Sequence, residues 1–263
     1  MILLLAVLCF VLLGWYLWWN RSSFSVLRAH RAFQKGDEAG ALAAFAQAEA
    51  AGRLGSEATA SYAYLALKNG RTDEASEILN RALVVGRRGR VLKLSPRRLL
   101  ETYQSLVFWK QGRLDEAVAL LEGLLAQGYR TQTLYGNLGF FLLEQGDLVT
   151  AEKVCLEAAD WDPDGKVILD NLASLYLEKE EWTKAAEVYD RLLALEPRFP
   201  EAWHGGGWAA LKTGDAAEAR RRWEKALELP FHSLTTVERP AVEAAIRALE
   251  SDGDPEGKGP KDR

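Results

Sequence analysis

Hydrophobic and polar positions divide the chain into an apolar lead, a long periodic body and a short polar end. From Met1 to Trp19 there is no charged side chain, and eleven of these residues are Leu, Ile, Val or Phe. As a helix the run is about 28 Å long, close to the hydrocarbon thickness of a bilayer. Insertion of its aliphatic and Phe side chains gains on the order of 3–6 kcal/mol. The run ends in Trp15-Tyr16-Leu17-Trp18-Trp19, followed by Asn20 and Arg21. Amphipathic rings beside a first charge suit a membrane–water interface. The pattern predicts a transmembrane helix over 1–19. Bulky Trp at the exit and the lack of a basic lead speak against a cleaved signal peptide. Leu8 stands where a lipid-modified Cys9 would want a small residue. Arg21, Arg28, Arg31 and Lys35 all follow the run. The positive-inside tendency therefore predicts a single-pass protein of the cell inner (plasma) membrane with its body in the cytoplasm.

The body repeats itself. Gly36, Gly70, Gly112, Gly146, Glu180 and Gly214 lie in matching segments, and the steps between them are 34, 42, 34, 34 and 34 residues. Five residues after each mark stands an alanine: Ala41, Ala75, Ala117, Ala151, Ala185 and Ala219. Nine residues after it come Phe45, Leu79, Leu121, Cys155, Tyr189 and Trp223. This is the pattern of a helical hairpin. The glycine turns the chain where a positive φ is needed. The alanine lets two helices approach, and the larger residue fills the space behind. Asp162-Pro163, Glu196-Pro197 and Leu229-Pro230 close second helices, which proline cannot continue. The period predicts repeats at about 22–55, 56–89, 98–131, 132–165, 166–199 and 200–233, a capping helix over 235–250 and a disordered tail over 251–263.

The 34-residue period, the Gly–Ala–aromatic–Ala–Pro order and the closing Trp161-Asp162-Pro163-Asp164 resemble the tetratricopeptide repeat (TPR) family. With the N-terminal run, the chain looks like a membrane-anchored, bacterial-type TPR protein. The resemblance covers roughly Ser22 to Ser233. It implies an all-α fold: a right-handed α-solenoid of six hairpins with a concave face for peptide or protein ligands, and no chemistry of its own. By the alignment that face carries Tyr64, Leu67, Leu106, Trp109, Phe140, Leu143, Leu177, Trp208 and Leu211. The alternative is that half of these pack against neighbouring hairpins. Family members that clamp a C-terminal carboxylate use Lys, Arg and Asn in this groove. Here the matching sites are Thr102, Leu106, Gly136, Phe140 and Asp170, with Asn137 and Asn171 as leftover amides. The expected ligand is therefore an apolar or amphipathic peptide or helix. Some bacterial members with a similar anchor end in a rubredoxin-like zinc module, whose cysteines are missing here.

Composition changes the picture in two places. The net charge of −4 hides a gradient: 17 basic against 11 acidic residues from Asn20 to Thr131, then 11 against 19 from Gln132 to Leu229. The extra eight residues of the 42-residue step fall in a stretch holding Arg87, Arg88, Arg90, Lys93, Arg97 and Arg98 and no acid. This is either a solvated connector or a contact to anionic lipid, where each charge near the surface gains ~1 kcal/mol. No basic stripe continues along the body, so nucleic acid is not an expected partner. Cys9 and Cys155 form no CxxC and read as inert thiols. His30 lies in the first repeat and His204 and His232 in the sixth, without metal-ligand spacing. No nucleophile motif or phosphate loop is present. No cofactor and no enzymatic activity are expected. The leading expectation is a membrane-tethered adaptor. The second is a component of an envelope-assembly or secretion complex with the array facing outward.

Overall fold

The computed structural model describes residues 25–52, 54–85 and 94–251. The expected membrane helix over 1–19, the basic residues Arg87, Arg88, Arg90 and Lys93, and the expected tail beyond Ser251 lie outside the described residues. Among the described residues every regular element is a helix, and no helix is long and apolar enough to cross a membrane.

The helices come in antiparallel pairs. Residues 25–34 (α1) pair with Glu38–Ala50 (α2), and Ser56–Lys68 (α3) with Thr72–Val85 (α4). Leu94–Lys110 (α5) turns at Gly112 into Leu114–Ala126 (α6), and Gln132–Gln145 (α7) pairs with Leu148–Trp161 (α8). Lys166–Glu178 (α9) pairs with Trp182–Ala194 (α10), and Pro200–Lys212 (α11) with Ala216–Leu227 (α12). Arg239–Ser251 (α13) closes the series. The chain forms two compact units, Met1–Val107 and Phe108–Arg263, whose boundary falls inside α5.

One device makes each hairpin. Gly70, Gly112, Gly146 and Gly214 have φ of 74°, 75°, 75° and 92°. The residue after each donates its N–H to the carbonyl five positions back: Arg71 to Ala66, Arg113 to Phe108, Asp147 to Leu142 and Asp215 to Ala210. This satisfies carbonyls that a helix end otherwise leaves orphaned. Glu180 holds the same left-handed geometry at φ 58°, and Glu181 donates to Tyr176 at 2.8 Å. Asp37, Asp147 and Asp215 then cap the second helices by accepting from Gly40, Thr150 and Glu218 at 2.8–3.0 Å. Ala41, Ala75, Ala117, Ala151, Ala185 and Ala219 are all fully buried. Any larger side chain at these positions would separate the paired helices.

In the first unit Phe45 stacks on Tyr62 with ring centroids 5.7 Å apart, and His30 meets Phe45 edge-on at 5.3 Å. The Tyr62 hydroxyl donates to Glu74 at 2.8 Å. In the second unit each helix packs on the next, and the first helices α7, α9 and α11 also pack along one another. They therefore line one side of this unit, which we call the inner side. Asn171, on α9, is buried and donates to the Gly136 carbonyl on α7 at 2.8 Å. Arg222 ties α12 to α11 through the Gly206 carbonyl at 3.1 Å and to α10 through Asp190 at 2.6 Å.

Two elements differ from the sequence-based boundaries. Helix α5 starts at Leu94, so Arg97 and Arg98 stand on a helix rather than in a connector. Arg97 is ion-paired with Glu101 one turn on, at 2.8 Å. The last helix starts at Arg239 rather than at 235. Residues His232–Thr235 fold into a hydrogen-bonded turn instead, with Thr235 N–H on the His232 carbonyl at 2.9 Å.

Candidate functional site

The nine expected inner-face residues divide by burial. Tyr64, Leu67 and Leu106 belong to the first unit and the other six to the second. Leu67 and Leu177 are buried, as are Leu106 and Trp208. These four correct the sequence-based expectation, because they are core residues and offer a ligand almost no surface. Leu67 lies on α3, which packs on α2 and α4, and Leu177 lies on α9, held between α7 and α11. Trp208 lies against Trp223, with centroids 5.1 Å apart, and donates its indole N–H to His204 Nε2 at 3.1 Å.

Tyr64, Trp109, Phe140, Leu143 and Leu211 are half-buried. In the first unit Tyr64 meets Tyr103 edge-on at 6.3 Å. In the second unit Trp109 and Phe140 form a ridge. Their centroids are 5.1 Å apart and their planes 89° apart, the edge-to-face geometry aromatic quadrupoles favour. Phe141 backs the ridge from the core, 6.1 Å from Trp109 and 5.6 Å from Phe140, and is fully buried. Leu143 follows Phe140 by three positions on α7, on the same helix face.

Lys110 belongs to this site although the repeat alignment did not single it out. Its Nζ lies 4.8 Å from the Trp109 ring centroid, within cation–π reach. The same ammonium donates to the Ser233 carbonyl at 2.8 Å. The sequence contains no signal for that contact, which joins residues 123 positions apart. Val149, Leu156, Trp161 and Val167 are exposed apolar residues on α8 and α9 that the alignment also passed over.

The leftover amide Asn171 is spent on the Gly136 carbonyl, so it does not face a ligand carboxylate. Burial pushes the Cys155 thiol up to about 12, which keeps it protonated and unreactive at neutral pH. Among the described residues no three His, Cys, Asp or Glu side chains are grouped as a metal would need.

The tetratricopeptide repeat family model matches residues 26–90, 104–166 and 171–230, well over half of the chain. The chain belongs to the tetratricopeptide repeat family. Its hairpins share their fold with a tetratricopeptide repeat protein from Parabacteroides merdae, at a TM-score of 0.66 and 11% identity over 88% of this chain and 85% of that one. They also share it with the TPR protein TTC0263 of Thermus thermophilus, at a TM-score of 0.53 and 21% identity over 69% of this chain and 91% of that one. Among curated relatives, the uncharacterized protein ycf37 of Pyropia yezoensis is 32% identical over 114 residues, which is 38% of this chain and 64% of that protein. A UPF0162 protein of Xylella fastidiosa is 40% identical over 62 residues, 24% of this chain and 22% of that protein. The chain thus spans less than two thirds of either curated relative. The TPR fold is one whose general use is protein–protein interaction.

Proposed function

We propose that this TPR chain is a non-enzymatic scaffold tethered to the membrane by Met1–Trp19, and that the ridge of Trp109, Phe140 and Leu143 takes an apolar or amphipathic helical segment of another protein. The observation that carries the reading is the ridge itself. Two half-buried aromatic rings pack edge to face, with the buried Phe141 against both and Leu143 one helical turn along α7. Aromatic side chains in such settings dominate binding energies, because each removes a large area from water at small entropic cost. The uncharged apolar run over 1–19 supports the tether, and its downstream arginines support a cytoplasmic array.

Crosslinking pull-down from membranes tests the site. Trp109→Ala combined with Phe140→Ala is expected to abolish capture of the partner while leaving helical circular dichroism intact. Capture that survives the double substitution would remove the ridge from the reading. A second contact, between anionic lipid and Arg87, Arg88, Arg90, Lys93, Arg97 and Arg98, is supported by the density of positive charge near the tether. Neutralising Arg87, Arg88 and Arg90 is expected to weaken flotation of a tether-free fragment with phosphatidylserine vesicles. Unchanged flotation would discard that contact.

A further inference from the structure

The connection between α12 and α13 is longer than its counterparts. Residues 228–238 separate these helices, whereas α8 and α9 are joined by 162–165 and α10 and α11 by 195–199. The added length is folded into a finger. The His232 N–H donates to Thr235 Oγ1 at 3.0 Å, and the Leu234 N–H donates to His232 Nδ1 at 3.2 Å. At its base Arg239 lies over the Phe231 ring at 4.6 Å and donates to the Leu227 carbonyl at 3.1 Å. Phe231 to Thr236 are half-buried throughout, which an unattached surface loop would not be.

Two contacts hold the finger to first helices. The Thr236 N–H donates to Glu201 Oε1, in the first turn of α11, at 2.8 Å. The Ser233 carbonyl accepts from Lys110, in the last turn of α5, at 2.8 Å. In chain order α7 and α9 stand between those two helices, so the finger reaches from the sixth hairpin back to the third. It arrives beside the ridge, since the same Lys110 ammonium lies over the Trp109 ring. Both contacts read main chain rather than side chain. A peptide that presents a carbonyl to Lys110 and an N–H to Glu201 makes the same two hydrogen bonds.

We propose that Pro230–Thr236 is a built-in occupant of the inner side, a finger that an incoming peptide displaces to reach Lys110 and Glu201. The partner segment is one caught partly by its backbone, with apolar side chains for the neighbouring Trp109–Phe140 ridge. The proposal rests on the ridge being the binding surface. It adds that the resting chain already occupies Lys110, the cation beside that ridge. Displacement then sets a threshold, because a site closed most of the time binds more weakly in proportion to its open fraction.

The test uses the full-length chain, a variant with Pro230–Thr236 replaced by a Gly/Ser linker of equal length, and a fluorescent peptide of residues 229–238. The peptide is expected to bind the linker variant about tenfold tighter than the parent, the factor for a finger open about one-tenth of the time. Lys110→Ala in the linker variant is expected to reduce that binding several-fold. Equal binding to parent and variant, or no binding to a variant with the parent's circular dichroism, overturns the proposal. Should the linker variant lose its helical signal, Lys110→Ala in the intact chain decides by hydrogen exchange. Faster exchange at the Ser233–Val237 amides supports the finger, and unchanged exchange overturns it. The ridge is judged separately: peptide binding with partner capture retained in Trp109→Ala/Phe140→Ala keeps the finger and discards the ridge. Loss of capture without peptide binding does the reverse.

Discussion

Phe140 and Trp208 occupy the same place in their repeats, six residues before the turn at Gly146 and Gly214, yet one is half-open and the other buried. The difference lies in what surrounds them. Around Trp208 the helix runs Gly205-Gly206-Gly207, and without Cβ atoms it admits large neighbours. The Tyr189 hydroxyl would lie 2.0 Å from a Cβ on residue 205, and the Trp223 indole nitrogen 2.2 Å from one on residue 207. Trp223 enters that space, donates its N–H to the His204 carbonyl at 3.0 Å and meets the Trp208 ring. Phe140 has Trp109 and Phe141 for neighbours instead, and these support it from one side. A repeat position alone therefore does not make a residue a ligand contact. Its surface remains open only where the packing partners leave it so.

The strongest way to break this contrast is Trp223→Ala. Removing a fully buried indole is expected to cost about 3–5 kcal/mol, read as a lower urea midpoint, and to raise the exposure of Trp208 in fluorescence quenching. An unchanged midpoint would mean that the packed cluster does not hold hairpin six. Next is Gly207→Ala, where the new Cβ must push the Trp223 ring aside. Overpacking of this kind costs roughly 1–3 kcal/mol, and a neutral result in thermal unfolding would contradict the close approach. Both changes lie in hairpin six, so partner capture by the ridge should survive them under conditions where the chain stays folded.

A smaller change of opposite sign serves as the control. Glu180 stands at φ 58° where the matching repeats carry glycine. Glu180→Gly is expected to add up to about 1 kcal/mol by relieving the left-handed backbone, with both aromatic clusters untouched. Destabilisation in chemical denaturation would show that the side chain matters more than the strain. The smallest effect concerns acid. A hydrogen bond from Arg222, aided by Arg221, holds the Glu218 carboxyl below its ordinary value of 4.5. A depressed folded value means that the stabilisation is present above the unfolded value and is lost as pH falls through the folded one. Hairpin six should thus weaken below about pH 4.5, and Glu218→Gln should flatten that part of the stability–pH curve.

Much of the helical order is readable in the sequence. A glycine at five of the six repeat marks and an alanine five positions after every mark point to a turn needing φ > 0 and a helix pair needing no side chain between, and both demands are local. Glu180 was legible as a turn only because the period required one. The inner-face residues were less legible, because burial depends on neighbours from other repeats. Leu177 and Trp208 hold the expected repeat positions but are buried, Trp208 against Trp223 of the helix that follows. Lys110 could not have been singled out, since its role comes from a contact with Ser233.

Period and composition by themselves thus determined the family, the turns and the apolar lead over 1–19, because each depends on a spacing or a run visible in one stretch of chain. Only the tertiary structure decided which aromatic residues remain open, what Asn171 is spent on and where the finger of residues 230–236 comes to rest. Those outcomes depend on which side chains compete for the same space, and the competitors are brought together only by folding.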